Sequence, residues 1–90
     1  MIGLIRDRNL DTNKPIVIVY KRDGRKTSGF IIIMDKECIV KPYKEYGSRV
    51  SYGEEFTVSY SEIMRYIQDD EREKLYNYLL DKVIGNKLDY

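Results

Sequence analysis

The fold of this chain is decided by the stretch Ile16-Val17-Ile18-Val19-Tyr20-Lys21-Arg22-Asp23-Gly24-Arg25, which is followed by Gly29 and by Phe30-Ile31-Ile32-Ile33-Met34. An Asp-Gly pair between two apolar runs is typical of a β-hairpin, because Gly takes the positive φ that a tight turn needs. A Gly inside a strand marks a sharp bend or the close approach of another backbone. The stretch therefore predicts two strands, about 16–22 and 25–34, with a bend at Gly29.

The remaining sequence predicts three further strands and one helix. The third strand covers about 37–43, and a long fourth strand over about 50–60 is bent or bulged at Gly53. The fifth strand covers Ile63 to Ile67, and the residues before Pro15 form a lead-in segment or a short helix. A helix over about 69–84 begins with Asp69 as N-cap and presents a broad apolar stripe. We expect one domain over residues 1–90: a mostly β, five-stranded, strongly bent antiparallel barrel with a C-terminal helix.

The charge of the chain is nearly balanced overall but divided between its halves. The whole chain carries 16 basic and 15 acidic residues, for a net charge of +1, which argues against a histone-like packing protein. Residues 1–49 hold eleven Lys or Arg and six Asp or Glu, whereas residues 50–90 hold five and nine. Such a division orients a protein on a polyanion, attracts subunits to one another, or is simply solvated surface charge.

The residues that usually carry catalysis or bind metals are scarce. The chain has one Cys and no His, so the usual zinc ligand sets and an imidazole-activated nucleophile are missing from the sequence. We interpret Cys38 as a small buried hydrophobic residue. No phosphate-cradling Gly loop occurs in the sequence. The adjacent carboxylates Glu54 and Glu55 would point to opposite faces of a strand, and the pair Asp69-Asp70 is typical of a helix cap, so neither pair indicates a catalytic site. We expect no enzyme, no metal and no cofactor. We also expect no membrane anchor or secretion signal, and a cytoplasmic location.

The region from Pro15 to Ile67 resembles the Sm and LSm family, including its Hfq branch. The resemblance rests on Asp23-Gly24-Arg25, Gly29 and Asp35, which follow the spacing of the first Sm motif. It implies an Sm-like or SH3-like barrel that associates edge to edge through its fourth and fifth strands. Two positions depart from the family pattern. Ile39 stands where the family carries Asn, and Ser59-Tyr60-Ser61 stands where it carries Arg-Gly or Lys-His.

Candidate nucleic-acid-binding residues fall into two groups. The first group corresponds to the family's recognition loops and comprises Asp35, Lys36, Glu37, Tyr60 and Ser61. Here Tyr60 could stack on a base, or it could continue the apolar face of its strand; Asp35 could orient a loop, or it could bond to its own backbone. The second group consists of cations around the first hairpin and the long loop: Lys21, Arg22, Arg25, Lys26, Lys41, Lys44 and Arg49, near Tyr43, Tyr46 and Tyr52. Cations among aromatic residues suit phosphate contact with base stacking, and equally a solvated β-surface.

Two functions follow from these patterns. The first is a non-catalytic homo-oligomer that binds nucleic acid, in particular single-stranded RNA, through its basic and Tyr-bearing loops. The alternative is a protein-interaction or inhibitor module, cellular or viral, that keeps the barrel without RNA binding and docks a protein partner through strand edges or the C-terminal helix.

Overall fold

The computed structural model describes residues 1–9 and 13–85 as one antiparallel sheet followed by two helices. The elements are β1 (Ile2–Asn9), β2 (Lys14–Asp23), β3 (Lys26–Ile33), β4 (Glu37–Tyr46), β5 (Arg49–Tyr52), β6 (Phe56–Ser59), α1 (Tyr60–Gln68) and α2 (Arg72–Gly85). Strands hold most of the described residues, and helices follow at the C-terminal end. The prediction of a mostly β, antiparallel fold with a C-terminal helix is therefore confirmed.

The sheet is an open meander rather than a closed barrel. Its strand order is β1-β2-β3-β4-β5, and β6 also pairs with β4. Strand β5 lies beside residues 43–46 of β4, and β6 lies beside residues 37–40. Within the described residues no ladder joins β1 to β5 or β6, so the predicted closure is not found. The segment that was predicted as the fifth strand, Ile63 to Ile67, forms part of a helix instead.

Three predicted elements are corrected by the structure. The N-terminal segment is neither a lead-in nor a helix, because β1 pairs with β2 along all of Ile2–Asn9. The predicted fourth strand is two short strands separated by residues 53–55, where the N–H of Gly53 donates to the carbonyl of Pro42 at 2.9 Å. The predicted fifth strand is helix α1. Its Ile63 and Ile67 are buried, and they lie on one face of a helix as well as of a strand.

Asp69 ends a helix and does not begin one. It is the C-cap of α1, and the next residue, Asp70, takes the left-handed conformation with φ 53°. The N–H of Glu71 donates to the carbonyl of Tyr66, and that of Asp70 donates to the carbonyl of Ile67. This pair of bonds is a Schellman motif, which stops α1 and lets α2 begin at Arg72.

The predicted first hairpin is confirmed, and a second one repeats its turn chemistry. Asp23 pairs with Lys26, and Gly24 takes a φ of 61° at the first of the two loop positions. Gly47 takes a φ of 60° at the corresponding position between β4 and β5. A positive φ at the first loop position alone is the type II′ pattern, whose twist matches that of the flanking strands. Asp23, Lys26, Tyr46 and Arg49 lie in one cross-strand row, so both hairpins turn at the same end of the sheet.

Gly29 lies where another backbone comes close, as its place within a strand predicted. A Cβ added to Gly29 would lie 2.3 Å from the carbonyl oxygen of Val19 and 2.8 Å from the Cα of Tyr20. No real Cβ tolerates such contacts, so any side chain at this position would force β2 and β3 apart.

Both helices pack on one face of the sheet, which we call the covered face. Tyr76 of α2 contacts Phe30 on this face, with ring centroids 5.6 Å apart. The core lies between the helices and the covered face, and Cys38 is buried in it as predicted. Its main members are Val17, Val19, Phe30, Ile32, Cys38, Val40, Val58, Ile63, Ile67, Leu75, Tyr76, Leu79 and Val83. No described element covers the opposite face, which we call the open face.

Candidate nucleic-acid interface

A groove of about 850 Å³ opens at the end of the covered face that carries the two Gly turns. Strands β2 to β5 form its floor, and Tyr76 of α2 forms part of its wall. The groove is lined by Lys21, Asp23, Lys26, Thr27, Ser28, Lys44, Glu45, Tyr46, Arg49, Val50, Ser51 and Tyr76. Its volume is within the usual range for a small-molecule or nucleotide site.

The strand register arranges the cations of the groove in a regular pattern. One cross-strand row reads Lys21, Ser28, Lys44, Ser51, and the next row reads Asp23, Lys26, Tyr46, Arg49. Each row contributes two cations that are two strands apart, and the rows are staggered. With strands about 4.8 Å apart and rows about 6.6 Å apart, consecutive cations are attached about 8 Å from each other. Four strands therefore present a zigzag of cations across the groove.

Two tyrosines in the groove have different environments. The side chain of Tyr46 is 57% exposed, and the Lys26 ammonium lies 5.9 Å from the centroid of its ring. Tyr76 is only 7% exposed, and its hydroxyl lies 3.0 Å from Ser28 Oγ. Tyr76 therefore marks the boundary between the core and the groove, whereas Tyr46 offers an aromatic surface to a ligand.

The groove is net positive. Four of the six charged residues that line it are cationic, and the other two are Asp23 and Glu45. Among the described residues, no ion pair involves Lys21, Lys26 or Arg49. Like charges attached to neighbouring strand positions repel one another, and a bound polyanion would offset this repulsion.

The predicted cations divide between this groove and other surfaces. Lys21, Lys44 and Arg49 line the groove, and Lys26 joins them. Arg22 projects from the open face, where its Nε donates to Thr27 Oγ1 at 3.4 Å and its guanidinium lies 5.4 Å from the Tyr20 ring centroid. Arg25 is exposed in the turn and does not line the groove. Lys41 projects from the open face, beside Ile31. The structure therefore brings together four of the seven cations in the second predicted group.

The other predicted residues lie at the opposite end of the sheet. Glu37 pairs with Ser59, which precedes Tyr60 and Ser61, so the two predicted recognition segments do meet. Tyr60, however, begins α1 instead of continuing a strand or lying in a loop. Glu37 and Lys44 are seven residues apart on β4, which places the two groups about 23 Å apart. They cannot form one compact site.

Asp35 makes the local bonds of a turn residue. Its carboxylate pairs with Lys14 and accepts a hydrogen bond from the N–H of Lys36 at 2.8 Å. The hydrogen bond from Lys14, followed by that from the Lys36 backbone, holds the pKa of Asp35 below its usual range. Lys36 itself is exposed beside it. These contacts support the interpretation that Asp35 stabilises its own turn.

Sequence reasoning missed Ser28, Ser51 and Tyr76 as parts of the groove. The serines occupy the row positions between cations, and only the strand register reveals that placement. Tyr76 enters through helix packing, 48 residues from Ser28 in the chain. Alternation along β2 was an available signal, because adjacent residues point to opposite faces and Lys21 and Arg22 cannot share one site.

Other chemical features of the described residues are few. Burial raises the pKa of the Cys38 thiol, so its reactive thiolate form is disfavoured. Across residues 1–9 and 13–85, no three His, Cys, Asp or Glu residues are placed to hold a metal ion. No helix in that part of the chain is both long enough and apolar enough to cross a bilayer.

Comparison of the chain with protein-family models, with curated proteins and with solved structures gives no significant match. The Sm-like resemblance therefore stays a prediction.

Proposed function

We propose that this protein is a non-catalytic module that binds single-stranded nucleic acid, RNA in the first instance, in the groove at the hairpin end of the covered face. The observation that carries the proposal is the convergence of Lys21, Lys26, Lys44 and Arg49, from four different strands, on one groove. A cytoplasmic location belongs to the same proposal.

The chemistry of the groove suits the two parts of a nucleotide. Lysine and arginine side chains neutralise phosphates and release counterions, which gives affinity without sequence preference. An exposed tyrosine stacks on a base, and each such contact contributes about 1 to 3 kcal/mol in single-strand binders. Tyr46 lies in the same row as Lys26 and Arg49, so one base and its flanking phosphates can be held together.

A second candidate site is the family-type site at the opposite end of the sheet. Its support is the pairing of Glu37 with Ser59, which brings Asp35, Lys36, Tyr60 and Ser61 into one neighbourhood. This candidate depends on the Sm-like resemblance and on the barrel-like oligomer that the resemblance implies. We keep both as a more specific version of this proposal. The groove is favoured because its cations outnumber its carboxylates, whereas Asp35 already pairs with Lys14.

Fluorescence anisotropy with a labelled single-stranded RNA of about 12 nucleotides tests the proposal, with single-stranded and duplex DNA of the same length as comparisons. Four phosphate contacts predict a slope of log K against log salt of about −2.8, or about a 50-fold loss of affinity between about 50 and 200 mM salt. Salt-independent binding, or no binding at micromolar protein, would contradict it.

Matched variants distinguish the two candidate sites. Arg49→Gln removes a groove cation and is expected to weaken RNA binding by about 1 kcal/mol, or about fivefold, and to flatten the salt slope by about 0.7. Lys36→Gln removes a cation from the opposite end of the sheet and is expected to leave affinity unchanged. In the same way, Tyr46→Ala should weaken binding and Tyr60→Ala should not. The reverse pattern would move the site to the turn at Asp35.

A further inference from the structure

The open face of the sheet is rich in aliphatic side chains that nothing in the described structure covers. It carries Ile5, Ile16, Ile18, Ile31, Ile33 and Ile39, with Tyr20, Tyr43 and Tyr52 beside them. Five of these residues line a shallow cavity of about 220 Å³: Ile16, Ile31, Ile33, Ile39 and Tyr52. An antiparallel sheet with one solvated face normally shows polar residues there. A contiguous apolar patch of this kind marks an interaction surface.

We infer that this open face is the interface of a homodimer, in which two sheets pack face to face as a β-sandwich. Strands of aligned sheets lie within about 30° of each other and their side chains interdigitate. This inference is independent of nucleic-acid binding, because the proposed groove lies on the covered face.

The register makes the centre of the open face complementary to itself. Ile16 pairs with Ile33, and Ile18 pairs with Ile31, across β2 and β3. A two-fold axis parallel to these strands and between them would place Ile18 of one copy against Ile31 of its partner, and Ile16 against Ile33. A symmetric dimer needs such a patch, in which each contact occurs twice.

The extent of the apolar surface fits a dimer of ordinary size. Five strand positions about 4.8 Å apart and the rows from Ile16 to Tyr20 span, with side-chain margins, about 450 Å² of sheet per copy. Nine of the fourteen positions in these rows carry apolar side chains, and the other five are Gly3, Asp7, Gly29, Lys41 and Thr57. A standard interface buries about 800 Å² per partner, of which about 57% is apolar, or about 460 Å². The apolar side chains of the open face therefore supply most of the nonpolar part of such an interface.

The positive charge of Lys41 within this surface is compensated. Lys41 projects from β4 beside Ile31, and its ammonium lies 3.5 Å from the Glu55 carboxylate and 5.2 Å from the Tyr52 ring centroid. A cation that is already ion-paired costs less free energy to desolvate at the rim of an interface than an unpaired cation does.

Sedimentation equilibrium of nucleic-acid-free protein over about 5 to 500 µM tests the inference, because a weak standard-size interface dissociates within such a range. The expected mass rises with concentration from 10.7 kDa towards twice that value. A monomer at every concentration, or a larger ring as the end point, would overturn the inference.

Variants locate the interface. Ile31→Lys places a charge at the centre of the open face and is expected to weaken dimerisation at least tenfold. Ile5→Lys changes a residue that is already 49% exposed on the same face, so it should fold and still weaken the dimer. Leu80→Lys is the matched control, because Leu80 is a 38% exposed apolar residue on α2. Circular dichroism establishes that each variant is folded. A dimer that survives Ile5→Lys and Ile31→Lys but not Leu80→Lys would place the interface on the helices and refute the sandwich.

Discussion

The hydroxyl of Tyr76 lies 3.0 Å from Ser28 Oγ, so α2 is bonded to β3 at the point where the hydrophobic core ends and the basic groove begins. Either hydroxyl can donate in this pair. The Tyr76 ring also meets Phe30 edge to face, with a centroid distance of 5.6 Å. One side chain therefore completes the core and fixes the wall of the groove.

Removing this hydrogen bond should loosen the junction without opening the core. We expect Tyr76→Phe and Ser28→Ala each to lower the free energy of unfolding by about 1 kcal/mol. In urea denaturation the double variant should cost less than the sum of the two, because the partners share one bond. Strict additivity would show that the two hydroxyls do not interact in solution.

The close approach at Gly29 predicts a large cost for the smallest side chain. Gly29→Ala should lower the free energy of unfolding by more than about 1 kcal/mol, because the added Cβ meets the backbone of Val19 and Tyr20. Gly3→Ala is the control. Its Cβ would meet the Tyr20 ring, which can rotate away, so a smaller loss is expected. Equal losses in thermal or urea unfolding would contradict the strand approach described at Gly29.

The left-handed residue between the helices predicts an unusual order of stabilities. Asp70 has a φ of 53° and pairs with Arg72 at 2.8 Å. Asp70→Gly and Asp70→Ala both lose that ion pair, so their difference reports the backbone alone. We expect the Gly variant to be more stable than the Ala variant by about 1 kcal/mol, since only Gly takes this conformation without a Cβ penalty. A more stable Ala variant would contradict the assignment of a Schellman motif at the end of α1.

The turn at Asp35 predicts a loss of stability in acid. The hydrogen bond from Lys14 lowers the pKa of Asp35 in the folded protein, so the unfolded chain binds protons more readily. The stabilisation that ionised Asp35 gives to the folded protein is complete above the ordinary pKa of about 4. It is lost as the pH falls through the lowered pKa of the folded state. Asp70 contributes in the same direction through its hydrogen bond from Arg72. Melting curves of Asp35→Asn between about pH 5 and 2 should therefore depend less on pH than those of the wild type, without becoming flat. Parallel curves would show that the pair with Lys14 is absent in solution.

Local chemistry explains which parts of the fold were predictable. The hairpin at Gly24 and the close approach at Gly29 are set by residues that sit next to each other in the chain or across one turn. Helix α1 was not predictable in this way. Ile63 and Ile67 are four residues apart, a spacing that places them on one face in a strand and in a helix alike. Packing against α2 and the sheet decides between the two.

The site was only partly predictable for a related reason. Composition identified the basic first half of the chain, but membership of one groove depends on strand register and on the alternation of side chains. The strand register places Lys21, Ser28 and Lys44 in one cross-strand row. Alternation along β2 places Arg22 on the opposite face of the sheet from Lys21. Part of the acidic charge of the second half lies on the helices, at Glu62, Glu73 and Asp81.

The most direct test of the proposed function is a nuclear magnetic resonance titration of ¹⁵N-labelled protein with a short single-stranded RNA. The account predicts that amide shifts concentrate at Lys26, Ser28, Lys44 and Ser51, on the floor of the groove. It also predicts that these shifts weaken as salt is raised. Shifts confined to residues 35–37 and 60–61, at the opposite end of the sheet, or no shifts at all, would contradict it.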